Sequence, residues 1–316
     1  MIYVSCQPDS TRFIWEIQTQ HINFENNGID LKNVYALFGF KGSPSNELLN
    51  LKYQLGSNIV LIEDDRENQT YSPSIQPHLL KKFFKMYPNF VNERTFYHDS
   101  DVLFTYSGLP NFSEMMDTGY WYVSDCRSYL NYDYIIKTGI DILLDMCEIV
   151  GISPLVVRKN NNHTGGCHHF IYGTDYSFWD ECERVQNKLF ELEKKNSFYA
   201  QQWAMCSKNS VDNHYKFQYW VMGMIAFQWV AWKRGFDTRI HPDLNFEWGS
   251  SYNSYNNCKI FHNAGVLQGN SSLFSKLDYY NKFPYNEDFS DIDKNSNTHF
   301  YVKELVKAGK KLGYIQ

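Results

Sequence analysis

Over the first hundred residues, short β-prone runs alternate with helix-patterned runs, and the joints between them are brief. "MIYVSC" reads as a buried opening strand. "RFIWEIQTQHINF" follows, with Phe13, Ile14, Ile17, His21 and Phe24 spaced along one helical stripe. After Gly28 comes a second strand, "VYALFGF". "NIVLIEDD" is a third, "HLLKKFFKMYP" is a helix stopped by Pro88, and "RTFYHDSDVLF" reads as the fourth strand. This alternation confines the chain to an α/β fold: a mostly parallel central sheet flanked by helices, in one large domain. Ligands of such sheets bind beyond the carboxyl ends of the strands. The polar groups Gln7, Pro8 and Asp9, then Glu63 to Asp65, then Asp99 to Asp101, are therefore expected along one rim.

The second half is patterned less regularly. "YWYVSD" and "HHFIYG" read as strands, and "FWDECERVQNKLFELEKK" as an amphipathic helix. "YWVMGMIAFQWVAWKRG" is too short and too interrupted by Gln228 to span a membrane, so a buried helix closed by Gly235 is expected. The opening residues have no basic stretch followed by an apolar one, so no signal peptide and a cytoplasmic location are expected. Seven scattered cysteines without a CxxC pair argue against a disulfide framework and against a zinc ribbon.

Four short motifs carry chemistry. Asp99 and Asp101 lie two apart; on a regular strand both carboxylates would face one way. Two hard oxygen ligands on one side suit Mg²⁺ or Mn²⁺, which can hold phosphates. A solvated turn capped by these acids is the plainer alternative. In "NNNHTGGCHHF", Gly165 and Gly166 allow a sharp turn or a close backbone approach, or belong to an ordinary loop. His168 and His169 are neighbours on a strand and face opposite ways. In "SFWDECE", Asp180, Glu181 and Glu183 fall in the first turn of a helix, where acids complement the dipole; one of them could instead act as a general base. In "KIFHNAGV", His262 follows a short apolar strand, either as a structural histidine or as the third member of an Asp, Asp, His set.

In this order the motifs "YHDSDVLF", "HTGGCHHF", "FWDECE" and "IFHNAG" resemble those of the GT-A family of nucleotide-sugar glycosyltransferases, over roughly residues 1 to 285. The wording "YVSCQP", "YSPSIQPHLL", "SDCRSYLNYDYI" and "FHNAGV" also looks like soluble glycosyltransferases of large-genome bacteriophages. The resemblance implies a Rossmann-like nucleotide-sugar-binding half at 1–130. An acceptor-binding and catalytic half at 131–285 and a basic C-terminal helix at 286–316 would complete the chain. It implies a nucleoside-diphosphate sugar donor, most simply a UDP-sugar, and Mn²⁺ or Mg²⁺ on Asp99, Asp101 and His262. Gln7, Asp9, Asp65 and Arg66 would approach the donor's base. Asp125 and Arg127 would lie near its sugar or phosphates, and Gly165 and Gly166 would shape the acceptor wall. Asp180 or Glu181 would be the catalytic carboxylate; the family's x-E-D element is replaced by D-E-C-E, which leaves that choice open.

A nucleotidyltransferase also uses paired Asp and Mg²⁺, but the first strand–helix turn, "CQPDSTR", lacks a phosphate-cradling glycine. A glycan-binding protein without catalysis is the remaining alternative, given an aromatic content of 17%. Net charge is −5, which disfavours a general nucleic-acid coat. A hydroxymethylated DNA base as acceptor would need a local basic path. Lys81, Lys82 and Lys85, Arg158 and Lys159, or the 302–314 segment could form one; otherwise the acceptor is a glycan, a protein or a small molecule.

Overall fold

The computed structural model describes residues 1–56, 58–207 and 217–315, with the side chains of 202–207 outside the description, Cys206 among them. The chain divides into two compact units. The first comprises 1–65, 93–117 and 242–316; the second comprises 66–92 and 118–241.

The first unit has the expected strand–helix alternation. Its strands β1 (Ile2–Pro8), β2 (Val34–Phe40), β3 (Ile59–Glu63) and β4 (Thr95–Tyr97) pair in parallel in the order β3-β2-β1-β4. Helix α1 (Thr11–Asn26) links β1 to β2, and α2 (Asn46–Leu55) links β2 to β3. Because the four strands run parallel, their carboxyl ends share one edge of the sheet. Ile14 and Ile17 of α1, Leu48 and Leu51 of α2, and Ala36, Phe38 and Ile59 of the sheet form a closed apolar layer. On the order of 2 kcal/mol is gained by burying each such large side chain.

The fourth strand differs from the sequence reading. "RTFYHDSDVLF" is two strands, not one. β4 ends at Tyr97, residues 98–101 turn, and β5 (Val102–Phe104) enters a second sheet. There, after the second unit's strands β6 (Tyr120–Asp125), β7 (Gly165–Ile171) and β8 (Asp237–Ile240), the chain adds β9 (Phe246–Trp248) and β10 (Ile260–His262). β10 runs antiparallel to β5 and parallel to β9, with His262 opposite Val102. A run of apolar residues hides this break, because both strands are buried and only the polar residues between them mark the change of sheet.

In the second unit β6 lies between β7, antiparallel, and β8, parallel. The register shifts at Val123 and Ser124. The helix Tyr176–Phe190 packs between α3 (Ile75–Met86) and the helix Met222–Lys233. Its core is aromatic: Trp121 stacks on Phe236 at 4.3 Å between ring centres, and Trp179 on Phe227 at 5.1 Å. No helix among the described residues is long and apolar enough to cross a membrane. Cys6, Cys126, Cys147, Cys167, Cys182 and Cys258 are free thiols.

One side chain completes β5 as a strand partner would. Asn23 of α1 donates its Nδ2 to the Phe104 carbonyl at 3.1 Å and accepts from the Phe104 N–H at 2.8 Å. Asn23→Leu strands both backbone groups in a buried place. It is expected to cost about 1–3 kcal/mol, read as a lower urea midpoint with an unchanged slope. An unaltered midpoint would show that β5 does not depend on this contact.

Candidate functional site

The 98–101 turn and the end of β10 meet in the first unit. His98 continues β4 for one more hydrogen bond, from its N–H to the Val4 carbonyl at 3.1 Å. The chain then folds back, and the Asn263 N–H donates to the Asp101 carbonyl at 3.1 Å. That bond and the β5–β10 register bring His262 beside two residues about 160 positions away in the sequence. Its Nε2 lies 3.3 Å from Asp101 Oδ1 and 3.5 Å from Asp99 Oδ2. One ligand atom from each of Asp99, Asp101 and His262 falls within 4.8 Å of the others; among the described residues this is the one cluster of its kind. Two carboxylate oxygens and an imidazole nitrogen form a mixed donor set that fits a divalent cation such as Mn²⁺. The carboxylates converge because the turn is irregular, not because a strand alternates.

The electrostatics are those of a buried charge cluster. The Asp101 side chain is only 2% exposed, and Lys276 Nζ sits directly on its Oδ2. Burial pushes the Asp101 carboxyl up, but Lys276 and His262 outweigh it and hold the group well below the usual carboxylate range. His262 is pushed down by burial and up, more strongly, by Asp101 and Asp99, so it keeps its proton above the ordinary histidine range. Asp99 is raised, by burial first and by Asp101 beside it. It is also the more open of the two acids, with 36% of its side chain exposed.

Helix α1 holds this turn from behind. The Gln20 amide donates to the carbonyls of Asp99, Ser100 and Val102 at 2.9, 3.1 and 3.0 Å. Ser100 donates its hydroxyl to Glu16 Oε2 at 2.5 Å. Glu16 is fully buried and pairs with Arg12, one helical turn back, at 3.0 Å. Sequence reasoning missed Arg12, Glu16, Gln20 and Lys276. A signal was present: the face of α1 opposite its apolar stripe carries amides and no lysine, which is unusual for a solvated face.

The remaining expected residues take separate places. Gln7, at the end of β1, is wholly buried, and neither polar atom of its amide has a partner among the described residues. Asp9 accepts from the Ser45 N–H at 2.7 Å and from its hydroxyl at 2.6 Å, at the start of α2. Asp65 is exposed. In the second unit, Arg66 donates to Ser74 Oγ at 2.7 Å. Arg127 grips Asp125 through Nε at 2.9 Å and a terminal nitrogen at 2.7 Å. Gly165 and Gly166 lie in β7 rather than in a loop. A Cβ at Gly165 would run into the Ser124 carbonyl and Val123, and one at Gly166 into Met224. The close approach is to β6 at Gly165 and to the Met222–Lys233 helix at Gly166. His169 is a core residue, packed edge-on to Phe227 and pushed down to about 3 by burial.

The acidic helix also starts earlier than its pattern suggests. Asp175 caps it, accepting from the Phe178 N–H at 2.8 Å, so Asp180, Glu181 and Glu183 lie beyond the first turn. All three are in ion pairs. Asp180 meets Lys81 at 3.2 Å and Arg184 at 3.3 Å. Glu183 meets Lys81 at 2.7 Å and His78 at 3.1 Å. Glu181 meets Lys233 at 2.7 Å and Arg234 at 2.8 Å. Burial raises Glu181, but its two cationic partners prevail and hold it below the usual range. Of the cations that could form a basic path, Lys81 is thus engaged, as are Lys307 with Glu304 at 2.6 Å and Lys311 with Glu25 at 2.5 Å.

The fold and site therefore define an α/β protein with an Asp, Asp, His cluster at the carboxyl edge of a parallel sheet. No family model matches the chain, and no curated protein matches it. Among solved structures, the bifunctional glycosyltransferase WbbM aligns over 99% of this chain at 11% identity, with a TM-score of 0.46. This chain spans only half (50%) of WbbM. The galactosyltransferase LgtC, solved with donor and acceptor sugar analogues, aligns over 97% of this chain and 96% of its own at 10% identity, with a TM-score of 0.42. These superpositions are too loose to carry a functional argument, which rests on the site itself.

The raised His262 has a consequence for stability without any metal. Its charge pairing with Asp101 is fully present below the ordinary histidine value of about 6.5 and is lost as pH rises through the raised value in the folded protein. In chelator, His262→Gln is expected to be less stable than the wild type by about 1.5–3 kcal/mol at pH 6, and the gap should close toward pH 9. Urea melts across that range check this; a gap that widens with pH would contradict the charge assignment.

Proposed function

We propose that this chain is a metal-dependent glycosyltransferase, moving a sugar from a nucleoside-diphosphate sugar, most simply a UDP-sugar, to a hydroxyl acceptor. The observation that carries this reading is the convergence of Asp99, Asp101 and His262 on the carboxyl edge of a parallel sheet. Those three residues would hold Mn²⁺ or Mg²⁺. When bound, the cation supplies Lewis-acid neutralisation of a departing diphosphate. The buried and unpartnered amide of Gln7, on the same edge, fits a ligand group such as a nucleobase, since a buried amide is rarely left unsatisfied.

The chain's own groups supply the rest. Lys276 brings an ammonium to the same carboxylate that would bind the cation, where it can offset charge growing on a leaving phosphate. His262 must give up its proton to act as a ligand, which links metal binding to pH. Asp180 and Glu181 stay the candidate carboxylates for the acceptor side. Their ion pairs suit steadying positive charge or orienting a sugar better than taking a proton near neutral pH, because a carboxylate held low is a weak base. Asp125 with Arg127, Asp9, Asp65, Arg66, Gly165 and Gly166 complete the proposed donor and acceptor contacts.

For the acceptor we favour a hydroxyl of a glycan, a protein or a small molecule. A hydroxymethylated DNA base, as the likeness to phage enzymes suggests, would need free cations, and Lys81, Lys307 and Lys311 are paired. The decisive experiment is a screen of nucleotide sugars against glycans, small molecules, plain DNA and hydroxymethylated DNA, with Mn²⁺ or with chelator. Turnover is expected only with the metal, and Asp101→Ala should lower it by at least about 10²-fold. Full turnover in chelator, or in the variant, would remove the metal-dependent reading. Binding of glycans without any turnover would favour a lectin, and pyrophosphate release from a nucleoside triphosphate a nucleotidyltransferase.

A further inference from the structure

Arg12 stands at the first turn of α1, four residues beyond the end of β1. Its Nε faces Glu16 Oε1 at 3.0 Å, and its guanidinium lies 4.2 Å from the centre of the Phe13 ring and 5.9 Å from that of Tyr280. Guanidinium offers five N–H donors in a fixed fork. Among the described residues nothing accepts from its two terminal nitrogens, although the side chain is only 14% exposed. A largely buried guanidinium whose terminal nitrogens have no acceptor among the described residues is therefore present at the ligand edge of the sheet.

The surroundings favour an anion there. Ser10, the N-cap of α1, makes no capping hydrogen bond, and its hydroxyl is buried without a partner. The first turn of this 16-residue helix is thus left with its positive end unsatisfied by a side chain. Gln7, three residues before Ser10, adds its unpartnered buried amide. Glu16 cannot itself be the missing anion for the whole fork. Its first oxygen lies 3.0 Å from the Arg12 Nε as an ion pair without an aligned hydrogen bond, and its second accepts from Ser100.

We propose that Arg12 is an anion-binding residue that takes a phosphate oxyanion of the donor, and that Glu16 is its positioning residue. Glu16 ties the guanidinium, through Ser100, to the same turn that carries Asp99 and Asp101. The fork and a cation on that turn would then approach one diphosphate from two sides, a geometry that planar bidentate guanidinium suits and a lysine does not. This rests on the donor-diphosphate reading above and adds a residue and a linkage to it.

The test uses two probes on the full chain. Mn²⁺ alone is followed by the paramagnetic signal of the free ion, and inorganic pyrophosphate with Mg²⁺ by calorimetry. Arg12→Met is expected to weaken pyrophosphate binding about tenfold or more while Mn²⁺ alone binds within about twofold of the wild type. Arg12→Lys keeps the charge but loses the fork, and should fall between. Glu16→Gln should weaken pyrophosphate several-fold while Arg12 is still present, which a residue needed only for folding would not do selectively. Because Arg12→Met strands the Glu16 carboxylate and can unfold the chain, Arg12→Met/Glu16→Gln is included; it should fold and still lose pyrophosphate. The two readings fail apart. Unchanged Mn²⁺ binding in Asp101→Ala overturns the cation site. Unchanged pyrophosphate binding in the Arg12 variants, or none in the wild type, overturns the anion site.

Discussion

The Asp101 carboxylate is the group on which the first unit's site depends. A charge with 2% of its side chain exposed is tolerable only if opposite charges and hydrogen bonds surround it. Here the partners come from distant parts of the chain: His262 from β10, Lys276 from the segment after it, and the backbone grip of Gln20 and Asn263 on the turn. Removing one partner leaves the others carrying an uncompensated charge, so the cluster holds together or fails as a set. That is also what makes the cluster suited to a divalent cation. Its carboxylates are already fixed, and a bound ion would take over part of the neutralisation of Asp101, with His262 giving up its proton to serve as a ligand.

Much of this was legible in the sequence, and the reason is periodicity. Strand–helix alternation gave the parallel sheet, and the position of "HDSD" after a strand gave the rim. The place of His262 after a short apolar strand was readable, but its grouping with Asp99 and Asp101 came from the resemblance of the motifs, not from periodicity. The break between β4 and β5 was not legible, since Tyr97 and Val102 are equally buried and β-prone on either side of it. Nor was the start of the acidic helix: "TDYSFWDECE" offers acids at several positions, and only the backbone shows that Asp175 is the cap. Glycines 165 and 166 look like a loop in an Asn-rich stretch, yet they are strand residues, Gly165 pressed against the irregular β6 backbone and Gly166 against Met224. Whether a glycine serves a turn or a close approach is set by its neighbour in space, which a linear pattern does not contain.

Apart from Lys276, the residues missed altogether share one cause. Arg12, Glu16, Gln20 and Asn23 follow one another at helical spacing along α1, on a face that a pattern reading assigns to solvent. In the fold the 98–104 segment meets that face: Gln20 and Asn23 bond its backbone groups, Glu16 accepts from the Ser100 hydroxyl, and Arg12 pairs with Glu16. Helix α1 is thus apolar toward β1 and β2 and polar toward the site-bearing turn, with both faces buried. The chemistry of the covering segment explains the polarity. A turn between two sheets leaves carbonyls without ladder partners, and these must be met by side chains.

This arrangement also fixes the register of the second sheet, which its own strands are too short to specify. β5 and β10 are three residues each. Slipping one against the other by a single residue would turn His262 to the opposite face and dismantle the cluster. Apolar alternation over three positions is weak protection against such a slip. The stronger constraint is polar: one contact comes from outside the ladder, and two backbone bonds prolong it at its ends. Asn23 holds both backbone groups of Phe104 from one side, and the Thr105 N–H reaches the Lys259 carbonyl at 3.0 Å. At the other end, the Asn263 N–H closes on Asp101. The same α1 face that holds the acidic turn through Gln20 and Glu16 therefore also anchors β5, the strand against which the histidine's own strand is aligned.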